Sequence, residues 1–173
     1  PQTARRALEC YHGTPGRFET PDMKGKPYSV VIDYAHTPDG LENILRAVAA
    51  PKKGRLICVF GCGGNRDRKK RPIMGEIAAR YSDFCVLTSD NPRFEEPESI
   101  IDSIEEGIKE TSCPYVRNAD RKEAIKIALE YAKKGDVIAI CGKGDEDYQE
   151  IKGVKHHFSD REAVEEIIEG GNL

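Results

Sequence analysis

The sequence predicts an α/β domain: three layers, with a mostly parallel sheet covered by helices on both faces. Two observations carry this. Short, β-branched apolar runs alternate with segments of helical period at roughly 25–30-residue intervals, the signature of strand–helix–strand units. Nearly every apolar run then ends in a cluster of glycines, acids or arginines, as expected where strands deliver loops to one edge of an open sheet.

In chain order, Pro1-Gln2-Thr3-Ala4-Arg5-Arg6-Ala7-Leu8 looks like the tail of a helix, and His12-Gly13-Thr14-Pro15-Gly16-Arg17-Phe18-Glu19 like a turn-rich connector. Residues 28–33 (Tyr-Ser-Val-Val-Ile-Asp) read as a buried strand. Residues 39–50 place Leu41, Ile44, Leu45 and Val48 at helical spacing. A second strand, 55–60, runs into Gly61-Cys62-Gly63-Gly64, and a helix over 71–81 is expected to turn Ile73, Ile77 and Ala78 inward. A third strand, 84–87, leads through Thr88-Ser89-Asp90-Asn91-Pro92-Arg93 to a helix at 97–109 with Pro97 in its first turn. Tyr115-Val116 suggests a short strand. Residues 120–133 form a helix capped by Asp120, with Glu123 closing a capping box. The strand at 136–141 ends at Gly142-Lys143-Gly144. A last strand near 154–158 and a helix at 160–169 capped by Ser159 follow, and residues 170–173 read as a frayed tail.

Bulk numbers narrow the function. The 173 residues, 38% hydrophobic and 33% charged with a net charge of −3, describe one well-solvated globule with a real core and no field of one sign for nucleic acid. No apolar run is long enough to span a bilayer. The six cysteines include no CxxC pair, and Cys58, Cys85 and Cys141 lie inside apolar runs. The expectation is a reducing, cytoplasmic setting without a disulfide framework or zinc site.

The chemistry-bearing residues gather after the strands. Asp33-Tyr34-Ala35-His36-Thr37-Pro38-Asp39 follows the first, and the glycines with the basic run 66–71 follow the second. Asp90–Arg93 follows the third, and Gly142-Lys143-Gly144-Asp145-Glu146-Asp147-Tyr148 follows the strand at 136–141. An acid and a guanidinium on a proline-stiffened turn suit a zwitterion: the acid faces an ammonium, the guanidinium a carboxylate. A turn with a capping Asp is the competing reading. Three glycines in four residues let backbone N–H groups approach an anion, and the basic run either binds an anion or forms a solvated face. GxxxxGK[ST] is absent, as are HExxH, a catalytic triad and a complete dinucleotide fingerprint. The reading is a ligand-holding domain, not a complete active site.

Taken together and in order, Pro15–Glu19, Asp33–Asp39, Phe60–Pro72, Asp90–Arg93 and Gly142–Gln149 resemble the carboxy-terminal domain of the Mur ligases, which is Rossmann-like. The resemblance runs from about Tyr11 onward. Its Asp-Asn-Pro-Arg turn is similar to that of members adding meso-diaminopimelate to UDP-MurNAc-L-Ala-D-Glu in peptidoglycan synthesis. It implies that Arg66, Asp90, Asn91, Arg93, Gly142 and Glu146 hold diaminopimelate, and that Arg17, Asp33 and His36 attend ATP. The arginines would take the carboxylates; Asp90, Glu146 and the Gly142 carbonyl would take the distal ammonium. Two positions depart from the family pattern: Asn65 stands where an acid is common and Asp145 where His is common. The family's phosphate loop, its magnesium ligands and its UDP-sugar site lie in central and amino-terminal domains. Residues 1–20 are therefore expected to be a connector and 21–170 the amino-acid-binding domain, inactive alone. A folylpolyglutamate or cyanophycin synthetase type of ligase, and a stand-alone amino-acid-binding module, are the alternatives.

Overall fold

The computed structural model describes residues 14–51 and 53–171; the expected helix tail at 1–8 and Cys10 lie outside them. Among the described residues, seven strands and five helices follow in chain order: β1 Ser29–Asp33, α1 Pro38–Ala49, β2 Leu56–Phe60, α2 Lys70–Tyr81, β3 Phe84–Thr88, α3 Pro97–Lys109, β4 Tyr115–Asn118, α4 Arg121–Tyr131, β5 Val137–Cys141, β6 Tyr148–Ile151, β7 Val154–His157 and α5 Asp160–Glu169. Strands β1 to β5 form one sheet in the order β1-β5-β2-β3-β4, with every pair parallel.

Period-two alternation divides the core into two layers. From β2, Leu56, Cys58 and Phe60 face a cluster built with Leu41, Leu45, Met74 and Ile104 of α1, α2 and α3. Ile57 and Val59 face the other cluster, with Ile125 and Leu129 of α4 and Val164 of α5. The central strands β2, β3 and β5 are apolar on both faces because both faces are covered, which bears out the three-layer α/β expectation.

Register positions the site. Asp33 pairs with Cys141, Cys141 with Phe60, and Phe60 with Leu87. Four strands thus end level, and their following loops leave side by side. The chain crosses from β1 to β4 over one face through α1, α2 and α3, and returns to β5 over the other through α4. Such a reversal in strand order opens a crevice at the carboxyl edge.

Several local expectations change. On α2 the inward residues are Met74, Ile77 and Ala78, whereas Ile73 is 48% exposed. Asp120 caps α4 by accepting from the Lys122 and Glu123 N–H groups, but the Asp120 N–H is donated to Asn118 Oδ1, so Glu123 does not close a capping box. Ser159 caps α5 through the Glu162 N–H, as expected. The strand near 154–158 does not join the main sheet. It pairs antiparallel with Tyr148–Ile151, a strand the sequence reading missed. Lys152 and Gly153, both at positive φ, make the two-residue turn between them. Residues 14–20, expected to be a connector, are stitched onto β1 by reciprocal Glu19–Ile32 hydrogen bonds.

Helices α2 and α3 meet through glycines. A Cβ on Gly107 would stand 1.9 Å from the Pro72 carbonyl oxygen, and one on Gly75 2.2 Å from that of Ile104. In an exposed helix, Gly→Ala stabilises by up to about 1 kcal/mol. At this crossing the overpacking cost dominates, so Gly107→Ala is expected to destabilise by about 1–3 kcal/mol. Urea unfolding measures this; an unchanged or raised midpoint would show that the helices separate without cost.

Candidate functional site

The four loops enclose a cleft of about 330 Å³ at the carboxyl edge of the sheet. Arg66, Asp90, Asn91, Arg93, Gly142 and Glu146 all line it, together with His36, Tyr34, Gly63 and Lys70. Six residues spread over 80 positions of sequence thereby reach one surface, because β2, β3 and β5 end level.

The 90–93 turn is a built part rather than a capped loop end. Asp90 is buried at 6% exposure. Its carbonyl accepts from Gln149 Nε2 at 2.7 Å, and Asn91 Oδ1 accepts from the Glu150 N–H at 2.9 Å. Asn91 Nδ2 donates to Glu146 Oε2 at 2.9 Å, joining the loops after β3 and β5. Arg93 has a left-handed backbone (φ 53°) and bridges to β6: its N–H donates to the Glu150 carbonyl and its carbonyl accepts from the Lys152 N–H. The hairpin that sequence reasoning missed therefore braces the turn.

The guanidinium of Arg93 is already partly occupied. Nε pairs with Glu150 Oε2 at 3.1 Å and Nη1 donates to the Gly64 carbonyl at 2.9 Å. Glu150 was not expected in this role; the charged residue at alternate spacing in a short strand is the signal that could have found it. The basic run 66–71 also divides. Arg66 is exposed at the cleft, whereas Arg71 is buried at 1% and gripped at both ends by Glu95 (3.0 and 3.1 Å). Those hydrogen bonds from Arg71 hold the Glu95 carboxyl below its ordinary range. Glu95 in turn accepts from the Asn65 N–H, and Asn65 Oδ1 accepts from the Phe94 N–H. The amide at position 65 thus pins the segment after Arg93, and Asp145 is exposed.

Lys143 has no role among the sequence expectations. Its side chain is fully buried, with Nζ 3.3 Å from Glu146 Oε2 and 3.6 Å from Asp90 Oδ1. A lysine between glycines after a strand reads as exposed; only the tertiary placement of the two acids reverses that.

The expected nucleotide residues separate. His36 lines the cleft, and its Nδ1 donates to the Tyr34 carbonyl, which can only accept. Arg17 and Asp33 lie outside the cleft lining. Arg17 sits over the Tyr34 ring, 5.0 Å from its centroid. Asp33 accepts from the Phe18 and Ala35 N–H groups at 2.8 and 2.9 Å, tying the 14–20 segment to the loop after β1.

The lining can hold a zwitterion but offers little for covalent chemistry. Burial pushes the Cys62 thiol up to about 12, so it remains a core thiol at neutral pH. Among the described residues no group of three His, Cys, Asp or Glu side chains is placed to hold a metal. Asp90 Oδ1 and the hydroxyls of Thr88 and Ser89 are buried without a hydrogen bond, a concentration of unsatisfied acceptor and donor capacity at the end of β3.

The family model for the Mur ligase, glutamate ligase domain, matches residues 16–144. A UDP-N-acetylmuramoyl-L-alanyl-D-glutamate–2,6-diaminopimelate ligase of Aquifex aeolicus is 56% identical over 170 residues, covering 98% of this chain and 34% of the relative. A solved structure of a ligase of the same name superposes with a TM-score of 0.85 at 40% identity, covering 97% of this chain and 34% of the other. A Mycobacterium tuberculosis folylpolyglutamate synthase, 22% identical with a TM-score of 0.60 over 82% of this chain and 32% of that one, shares the fold. The chain spans about a third of the length of the relatives it matches. The matched segment runs from Gly16 to the loop after β5 and holds all of the cleft lining except Glu146, and the chain belongs to the Mur ligase family as a glutamate ligase domain.

Proposed function

We propose that this chain is the amino-acid-binding, carboxy-terminal domain of an ATP-dependent ligase that joins meso-diaminopimelate to UDP-MurNAc-L-Ala-D-Glu. The observation that carries the reading is the convergence of Arg66, Asp90, Asn91, Arg93, Gly142 and Glu146 on one cleft. Acids and guanidiniums share its lining, in a family whose 56%-identical relative is named for that reaction.

In this reading, ATP phosphorylates the D-glutamate side-chain carboxylate, releasing ADP. The amine of diaminopimelate attacks the acyl phosphate, and the tetrahedral intermediate expels phosphate to leave an amide. This chain's part is positioning. Asp90, Glu146 and the Gly142 carbonyl hold the distal ammonium, and Arg66 and Arg93 hold carboxylates. Arg17, Asp33 and His36 meet the nucleotide from this side. Asp33 fits a shaping role best, because its carboxylate already orders two backbone N–H groups, and Arg17 is the exposed cation beside it. Magnesium would be held by the central domain, and the UDP-sugar by the amino-terminal one. The reaction belongs to the cytoplasm, and residues 21–170 alone bind the amino acid without turnover. ATP hydrolysis by the 173-residue chain would overturn that last point.

Substrate choice tests the proposal. With Nε and one N–H of Nη1 engaged, Arg93 keeps Nη2 and the second N–H of Nη1 for a ligand. One charge-assisted hydrogen bond contributes about 1.5–3 kcal/mol, or roughly 10–150-fold. Calorimetry on the full-length protein is expected to show meso-diaminopimelate preferred to lysine by about that factor, and Arg93→Ala to erase the preference. Equal affinity for the two in the wild type would refute the substrate assignment.

A further inference from the structure

Lys143 occupies an unusual place. Its ammonium is fully buried, yet every contact it makes is long: 3.3 Å to Glu146 Oε2, 3.4 Å to Asn91 Oδ1 and 3.6 Å to Asp90 Oδ1, with the Tyr148 ring centroid at 5.6 Å. A charge-assisted N–H···O bond is about 2.7–2.9 Å. The ammonium is thus caged, not clamped. Its neighbours have other commitments: Asn91 Oδ1 accepts from the Glu150 N–H, and Glu146 Oε2 accepts from Asn91 Nδ2. Asp90 Oδ1 has no hydrogen bond.

Both carboxylates that face Lys143 also line the cleft. Two acids sharing so small a space repel each other, and a buried charge left unpaired is costly. We infer that Lys143 is an internal counter-ion that sets the charge capacity of the pocket. Asp90 and Glu146 carry two negative charges and Lys143 cancels one, leaving a place for a single ligand ammonium in front of them. With Lys143 removed, that ammonium would sink into the vacated position, and the amino acid would bind with its reacting amine out of place. Lys143 is therefore a positioning residue that selects how, and how many, cationic groups enter. The ligand's identity rests on the function proposed above; the charge balance rests on the geometry alone.

The test uses the full-length protein, assayed first in wild-type form with diaminopimelate, lysine and other amino acids. Failure to use diaminopimelate overturns the substrate assignment, and the Lys143 measurements are then made with whichever amino acid is used. Lys143→Ala is expected to lower kcat/KM for the amino acid about 100-fold or more, the penalty of an unpaired buried charge. Added ethylammonium, small enough to refill the cavity, should restore at least about tenfold of that loss and saturate, whereas tetramethylammonium at equal ionic strength should not. Lys143→Met fills the same space without charge, so it should show the same loss with no rescue. Without any amino acid present, ethylammonium should raise the thermal midpoint of Lys143→Ala but not of Lys143→Met. Wild-type kinetics in Lys143→Met, or no ethylammonium effect on a folded Lys143→Ala, would overturn the inference. If Lys143→Ala does not fold, Lys143→Met decides: a folded variant with the loss supports it, and one without the loss ends it.

Discussion

Replacing Arg121 with methionine is expected to destabilise the domain by about 3–5 kcal/mol, the cost of orphaning a buried charge. Arg121 and Asp160 are both fully buried and paired through two bonds, Nε to Oδ1 at 2.7 Å and Nη2 to Oδ2 at 2.8 Å. The same guanidinium donates to the Ser89 carbonyl at 3.3 Å and the Cys141 carbonyl at 3.1 Å. These are the residues immediately before Asp90 and Gly142, so one side chain ties together the two strand ends that carry the acids of the cleft.

The double variant Arg121→Met with Asp160→Leu separates the two roles. Removing both charges leaves no orphan, and apolar replacement of a buried pair is often neutral or better. Stability should therefore recover most of the loss in urea unfolding. The carbonyls of Ser89 and Cys141 stay untied, so amino-acid binding by the full-length protein should remain weakened by about tenfold, the worth of one or two ordinary hydrogen bonds. A loss below about 1 kcal/mol in the single variant would show that Asp160 finds another partner.

Much of this architecture was legible in the sequence, for particular reasons. The central strands β2, β3 and β5 are apolar on both faces, and α1 carries a clean period of Leu41, Ile44, Leu45 and Val48, all of them buried. Such elements announce themselves because burial and local preference agree. Where they disagree, reading fails. On α2 the packing is set by Gly75 against α3, a contact between helices that turns Ile73 outward. Strand β7 is exposed throughout and β6 holds no buried residue, so neither carries an apolar period, and their turn uses Lys152-Gly153 rather than an Asn-Gly signal.

The candidate site divides the same way. Strand-end position was enough to gather six residues, since level strand ends convert sequence order into proximity. It could not show which charges were already spent. Glu150 on Arg93, Glu95 on Arg71 and Asp90 on Lys143 are pairings between residues far apart in sequence. No spacing rule reaches them. Those internal pairings turn an apparent surplus of guanidiniums into a site with one exposed arginine, Arg66, and one partly committed, Arg93.

The glycine loop after β2 makes the remaining large prediction. A Cβ on Gly64 would stand 1.9 Å from the Pro92 carbonyl oxygen and 3.3 Å from Ile100 Cδ1. The Gly64 N–H donates to the Asn91 carbonyl at 2.9 Å, and its own carbonyl accepts from Arg93 Nη1. Gly64→Ala must therefore push the 90–93 turn away by about an ångström, and it must strain the bonds that aim Asn91 and Arg93. A misplacement of that size costs about 100-fold in rate, so kcat/KM for the amino acid in the full-length protein is expected to fall by that factor. Overpacking should lower stability by only about 1–3 kcal/mol. Gly25→Ala is the control. Unlike Gly64 it lies at positive φ, and nothing stands within 4 Å of its Cβ. It should cost about 1 kcal/mol of backbone strain and leave amino-acid kinetics alone. If Gly64→Ala keeps wild-type kinetics while losing the expected stability, the turn is not held by contact with the glycine loop, and Arg93 must be aimed by the β6–β7 hairpin alone.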